Sequence, residues 1–123
     1  MSVVLMSVII CGGRDYQITE EGYAFLDRQH LYYRFDEVVS GGASGADKCG
    51  EEWARRNGIS VRRFNADWQR YGKRAGPRRN EEMASHADKC IAFPGGAGTE
   101  NMKTLARRYG LEVIEFRDSE EVK

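Results

Sequence analysis

Apolar positions along the chain fall into short blocks, and segments of helical period separate them. Val3–Ile10 is apolar at every position but Ser7 and rich in β-branched residues, the pattern of a strand covered on both faces. Gly12 and Gly13 break it. Thr19 is placed to cap a helix running to about Leu31, with Glu20 and Glu21 complementing the dipole of its first turn. Phe35–Ser40 contains a second short strand around Val38 and Val39. Ala46–Asn57 predicts a helix with Ala46, Cys49, Trp53 and Ala54 on one face, stopped by Asn57-Gly58. Ile59–Phe64 reads as the third strand. Asn65–Gly76 has no clean period and reads as the longest loop. Pro77 suits the first position of a helix that continues to about His86. Cys90–Phe93 is the fourth strand. Thr99 is expected to cap a helix to Tyr109, which Gly110 ends, and Glu112–Phe116 is the fifth strand. Arg117–Lys123 reads as a frayed end.

Strands that alternate with helices predict an α/β, Rossmann-like three-layer fold with right-handed crossovers. The expected sheet is parallel and five-stranded, in the order 3-2-1-4-5, with four helices on its two faces. One domain over residues 1–117 and an acidic tail over 118–123 are expected. In such a sheet the ligand crevice lies at the carboxyl ends of the strands, where the order reverses, here between strands 1 and 4. That is where the glycine-rich turns fall.

Composition narrows the classes. At 123 residues the chain can bury a sizeable core. Val3–Cys11 lacks the flanks of a signal peptide, and no run approaches the roughly 18 apolar residues of a membrane span. Cys11, Cys49 and Cys90 are odd in number and far apart, which fits buried free thiols in a reducing cytoplasm. The net charge of zero conceals an asymmetry: Arg55–Arg79 carries nine basic residues against Asp67 alone. A basic middle suits an anionic partner.

Three turns carry candidate chemistry. Pro94-Gly95-Gly96-Ala97-Gly98-Thr99 follows a strand and opens a helix, so its backbone N–H groups and helix dipole can face an anion. It is neither a Walker loop nor the Gly-x-Gly-x-x-Gly dinucleotide signature. Gly41-Gly42-Ala43-Ser44-Gly45-Ala46-Asp47 is placed to do the same for a second part of the ligand. There Ser44 can donate to a phosphate, and Asp47 either caps the helix or accepts from a ribose hydroxyl. Gly12-Gly13-Arg14-Asp15 forms the third wall, with Arg14 as a phosphate fork or as a partner of Asp15 or Asp47. Trp68 either stacks on a base or anchors its loop, and Arg79 and Asn80 are placed to reach back to the crevice. His30 and His86 are assigned no chemistry. No metal site, cofactor, catalytic triad or paired carboxylates are predicted.

The turns at residues 12–16, 41–47 and 94–99, with Ala66-Asp67-Trp68, Tyr71-Gly72-Lys73 and Ala75-Gly76-Pro77-x-Arg79-Asn80, resemble the YspA/cpYpsA-related branch of the SLOG superfamily over about residues 8–114. The resemblance implies a Rossmann-like fold that binds nucleotides or nucleotide-derived ligands, in bacteria or their phages. It also implies a homodimer or higher homo-oligomer that completes the site. Tyr23, Phe25 and Met83 are the residues expected to supply that contact. The related Lonely Guy phosphoribohydrolases carry Pro-Gly-Gly-x-Gly-Thr-x-x-Glu with a catalytic Glu; that position is Met102 here. Arg79 and Glu100 are the catalytic candidates left, with Asp15 and Asp47 as other carboxylates able to substitute. The related DNA-processing protein A group binds single-stranded DNA and shares a turn similar to Ser40–Asp47. Three functions therefore stand open: a sensor or sequestering protein for a nucleotide-derived molecule, an N-glycosidic hydrolase, and a single-strand nucleic-acid binder.

Overall fold

The computed structural model describes residues 5–118. The elements run β1 (Ser7–Cys11), α1 (Glu20–Tyr33), β2 (Glu37–Ser40), α2 (Ala46–Arg56), β3 (Ser60–Arg63), α3 (Trp68–Tyr71), a 3-10 turn (Gly72–Arg74), α4 (Ala75–His86), β4 (Lys89–Ala92), α5 (Ala97–Arg108) and β5 (Glu112–Glu115). The five strands form one parallel sheet in the order β3-β2-β1-β4-β5. This is the expected Rossmann-like α/β fold.

Strand alternation sorts the core into two layers. Val8 and Ile10 of β1 join Val38 and Ile91 on one face, beneath Leu26 of α1 and Ala46, Cys49, Trp53 and Ala54 of α2. Ile9 and Cys11 face the other way, with Val39 and Cys90, beneath Met83 and Ala84 of α4 and Met102, Leu105 and Ala106 of α5. Both faces of β1 are therefore covered, which is why its sequence shows no polar alternation.

Local signals set most boundaries. Thr19 Oγ1 accepts from the Gly22 N–H at 3.1 Å and starts α1. Gly58 and Gly110 take φ of +68° and +82° just beyond α2 and α5. All three cysteines are free and buried.

Several expectations need correction. The stretch 65–76 is not one loop: Asp67 Oδ1 accepts from the Arg70 N–H and nucleates α3. Among the described residues there are consequently five α-helices rather than four. Pro77 is the third residue of α4, still within the first turn, where a missing N–H costs nothing. Thr99 does not cap α5; Gly96 occupies that position without a side-chain bond, and Thr99 sits one turn inside. Met83 is 2% exposed in the core and cannot meet a second copy, while Tyr23 and Phe25 are half-buried against the core. His30 Nδ1 accepts from the Phe35 N–H, and His86 Nε2 meets a Glu37 oxygen at 3.2 Å. Asp118 is tied down by the hydroxyls of Tyr16 and Thr19, and residues 119–123 lie outside the described part.

Candidate functional site

The ends of β1, β2 and β4 open into one cleft of about 530 Å³. Backbone bonds hold its three walls together. The Gly13 N–H donates to the Pro94 carbonyl at 2.8 Å, and the Gly13 carbonyl accepts from the Ala46 N–H at 3.1 Å. A side chain at Gly12 would put its Cβ 2.6 Å from the Ala46 Cβ. Only glycine lets α2 begin this close to β1.

The turn after β2 is satisfied internally. Ser40 Oγ accepts from the Gly42 N–H at 3.0 Å, and Asp47 Oδ2 accepts from the Ala43 N–H at 3.1 Å. A Cβ at Gly41 would lie 2.7 Å from Arg79 Nη1, and one at Gly42 would lie 2.6 Å from Arg63 Cδ. Gly45, at φ +76°, leaves no room for a Cβ against the Gly13 carbonyl. Ser44 Oγ donates to the Arg14 carbonyl at 3.1 Å.

Arg79 reaches the cleft floor from α4. Its Nη1 donates to the Gly41 carbonyl at 2.7 Å and its Nε to Asn80 Oδ1 at 2.9 Å. Buried Asn80 in turn donates to Asn101 Oδ1 at 2.9 Å, which fixes the Arg79 side chain from behind. Burial, with Arg14 nearby, lowers the Arg79 pKa, and Asp47 opposes this. Among the described residues no carboxylate lies within ion-pair distance of Arg79 or Arg14, so neither is paired with Asp15 or Asp47. Asp47 is 7% exposed. Burial pushes its pKa up to about 6, with Glu51 adding to the rise, while the Ala43 and Gly41 amides and Arg79 hold it back.

The turn after β4 differs. Gly95 leaves room for Thr99 Oγ1, but a Cβ at Gly96 or Gly98 would meet nothing within 4 Å. No side chain caps Gly96, so the amides that open α5 have no side-chain acceptor. Gly96, Ala97, Gly98 and Thr99 line the cleft.

The remaining predicted residues divide. Trp68 is 54% exposed at the rim, its ring edge lying over Gly76. Gly42 and Ser44 line an adjoining hollow of about 300 Å³ that shares Arg14, Gly41, Ala43, Trp68 and Arg79 with the cleft. Asp15 is exposed and does not line the cleft. Pro94, Gly95 and Glu100 line a separate depression, where Glu100 pairs with Lys103. Met102, 1% exposed, lines the cleft itself. Asn101 escaped the sequence reading. Its only signal is its place one turn after Ala97 and Gly98, on the helix face they share.

The basic middle does not converge on the cleft. Arg55 and Arg63 pair with Glu51, Arg62 pairs with Glu37, and Arg70 and Arg78 lie over the Tyr71 ring. Of that segment's cations, Arg79 alone lines the cleft.

The family model described as the YspA, cpYpsA-related SLOG family matches residues 6–71. The chain belongs to this family. The Gene 61 protein of Mycobacterium phage D29 is 44% identical over 89 residues, an alignment covering 66% of this chain and 71% of that relative. No solved structure matches. The part matched to the YspA, cpYpsA-related SLOG family carries two walls of the cleft and Trp68; Arg79 and the turn after β4 lie beyond it. Among the described residues no helix is long and apolar enough to cross a membrane, and no cluster of three or more potential metal ligands occurs.

Proposed function

We propose that the cleft binds a nucleotide-derived small molecule without cleaving it, as a sensor or sequestering protein. One observation supports this most: the uncapped start of α5 and two cations without carboxylate partners, Arg14 and Arg79, border the same cleft. An anion there gains hydrogen bonds, a favourable dipole and charge pairing together. Trp68 at the rim offers an aromatic face for a base. Membership of the SLOG family points to nucleotide-related ligands.

Met102 weighs against hydrolysis. A buried thioether lines the cleft where the hydrolases carry a carboxylate, and Glu100 is turned away onto Lys103. It can neither orient water nor stabilise charge on a sugar.

Titration calorimetry with a panel of nucleoside 5′-phosphates tests the reading. Binding is expected in the wild type and lost in Gly96→Val, with little change in melting temperature because a Cβ at this position has no protein atom beyond its chain neighbours within 4 Å. Binding that survives the substitution sinks the phosphate-cradle reading. Free base in chromatograms of the incubated nucleotides would instead favour hydrolysis.

A further inference from the structure

The cleft has two chemical ends. Gly96–Thr99, with the start of α5, is the end that favours an anion. Asp47 is the sole carboxylate among the lining residues, and no Lys or Arg among the described residues pairs with it. The Ala43 amide donates to its Oδ2 and the Gly41 amide also acts on the carboxylate, whose two oxygens still have acceptor capacity to spare. An ionised carboxylate repels phosphate, so the ligand atoms nearest Asp47 must be neutral donors.

Spacing decides which donors. The turn bearing Asp47 follows β2 and the anion-favouring turn follows β4, with β1 between them. Two strand spacings set these ends about 10 Å apart. A hydrogen bond of about 3 Å at each end leaves about 4 Å between phosphate oxygens and the donors. That gap suits the sugar attached to the phosphate. The far edge of a base reaches beyond it. The base then has room on the side of Trp68, where the cleft continues into the hollow lined by Ser44, Asn65 and Ala66.

We propose that Asp47 accepts hydrogen bonds from the ribose hydroxyls, so that the cleft selects ribonucleotides over 2′-deoxyribonucleotides. This rests on the nucleotide reading above. Order along the cleft is then phosphate at Gly96–Thr99, sugar at Asp47 and base towards Trp68. Arg79 bridges the first two, held by Gly41 and Asn80.

Calorimetry with matched ribo- and 2′-deoxyribonucleoside 5′-monophosphates of each common base tests the assignment. A charge-assisted hydrogen bond predicts a preference of about tenfold or more for the ribo form in the wild type. In Asp47→Asn the ratio should fall towards one. The groups that act on the Asp47 charge are Arg79 from α4, Glu51 on α2 and Cys11 on β1. As Asp47 protonates, the ribo-to-deoxyribo ratio should fall below about pH 6, and taking the ratio cancels titration of the phosphate. Wild-type protein that binds both forms equally overturns the Asp47 assignment and leaves the nucleotide reading intact. Protein that binds neither overturns the nucleotide reading and this assignment with it. Should Asp47→Asn fail to fold, 2′-O-methyl and 3′-deoxy nucleotides put the same question to the wild type, and equal binding of these again counts against Asp47.

Discussion

The turns after β2 and β4 have similar glycine content and opposite states. After β2, groups from elsewhere fill the space: the Arg79 side chain lies against Gly41, the Arg63 side chain against Gly42, and the Gly13 backbone carbonyl against Gly45. Ser40 and Asp47 take amides of this turn. After β4, Gly96 and Gly98 border empty space; neither α2 nor α5 has a side-chain cap, but the first amide of α2 donates to the Gly13 carbonyl. One turn uses glycine for the protein's own packing. The other keeps space that packing does not use, and such space is where a ligand can approach the backbone.

Substitutions should separate the two turns. Gly45→Val combines a positive φ with overlap onto backbone, and should cost about 4 kcal/mol or more, enough to unfold much of the population in a denaturant titration. The support beneath this turn should be nearly as sensitive. Glu51 is fully buried, accepts from Ser40 Oγ, and is forked by Arg63. Burial alone would raise its pKa, but Arg63 and Ser40 hold it below the usual carboxylate range. Glu51→Ala, which strands Ser40 and Arg63, should cost about 3 kcal/mol at neutral pH. The wild-type advantage should fade in acid, because a depressed folded pKa gives stability that is lost as Glu51 protonates.

Asp47 predicts the opposite sign. Its folded pKa of about 6 lies above the ordinary 3.8, so its ionisation opposes folding. Stability is greatest below the ordinary value and is lost as pH rises through about 6. Asp47→Asn keeps an acceptor for the Ala43 amide without the buried charge. It should therefore stabilise the fold by about 2 kcal/mol at pH 7 and by almost nothing at pH 4, read as melting temperatures. A destabilised variant at pH 7 would mean that the charge is compensated better than its surroundings indicate. Smallest of all should be Gly98→Ala in the first turn of α5. It meets no neighbour, so melting should move by less than about 1 kcal/mol while nucleotide affinity drops. Equal destabilisation by Gly45→Val and Gly98→Ala would erase the distinction between the turns.

Much of the fold was legible because its signals are local. Val8, Ile9 and Ile10 advertise a strand buried on both faces, and each of the strands β1 to β4 ends near a glycine, a cap or a turn. Errors came where long-range packing competes with local preference. Thr99 resembles a cap in sequence, yet its hydroxyl is taken into the space beside Gly95 and α5 begins at Ala97 with Gly96 in the cap position. Met83 resembles a surface contact, yet α4 turns it under the sheet. For the site, glycine spacing pointed to the three walls. Neither Asn101 nor the diversion of Glu100 to Lys103 leaves a mark in spacing, because both depend on which helix face meets which neighbour.

The sequence by itself determined the order of strands and helices, the parallel sheet and the three turns that meet at its switch point. Hydrophobic period and glycine placement act within a few residues and need no partner. Only the tertiary structure decided which glycine turn is filled and which is open. Occupancy of that space depends on Arg63, Arg79 and Asp47, which arrive from different elements and meet only when the sheet is assembled.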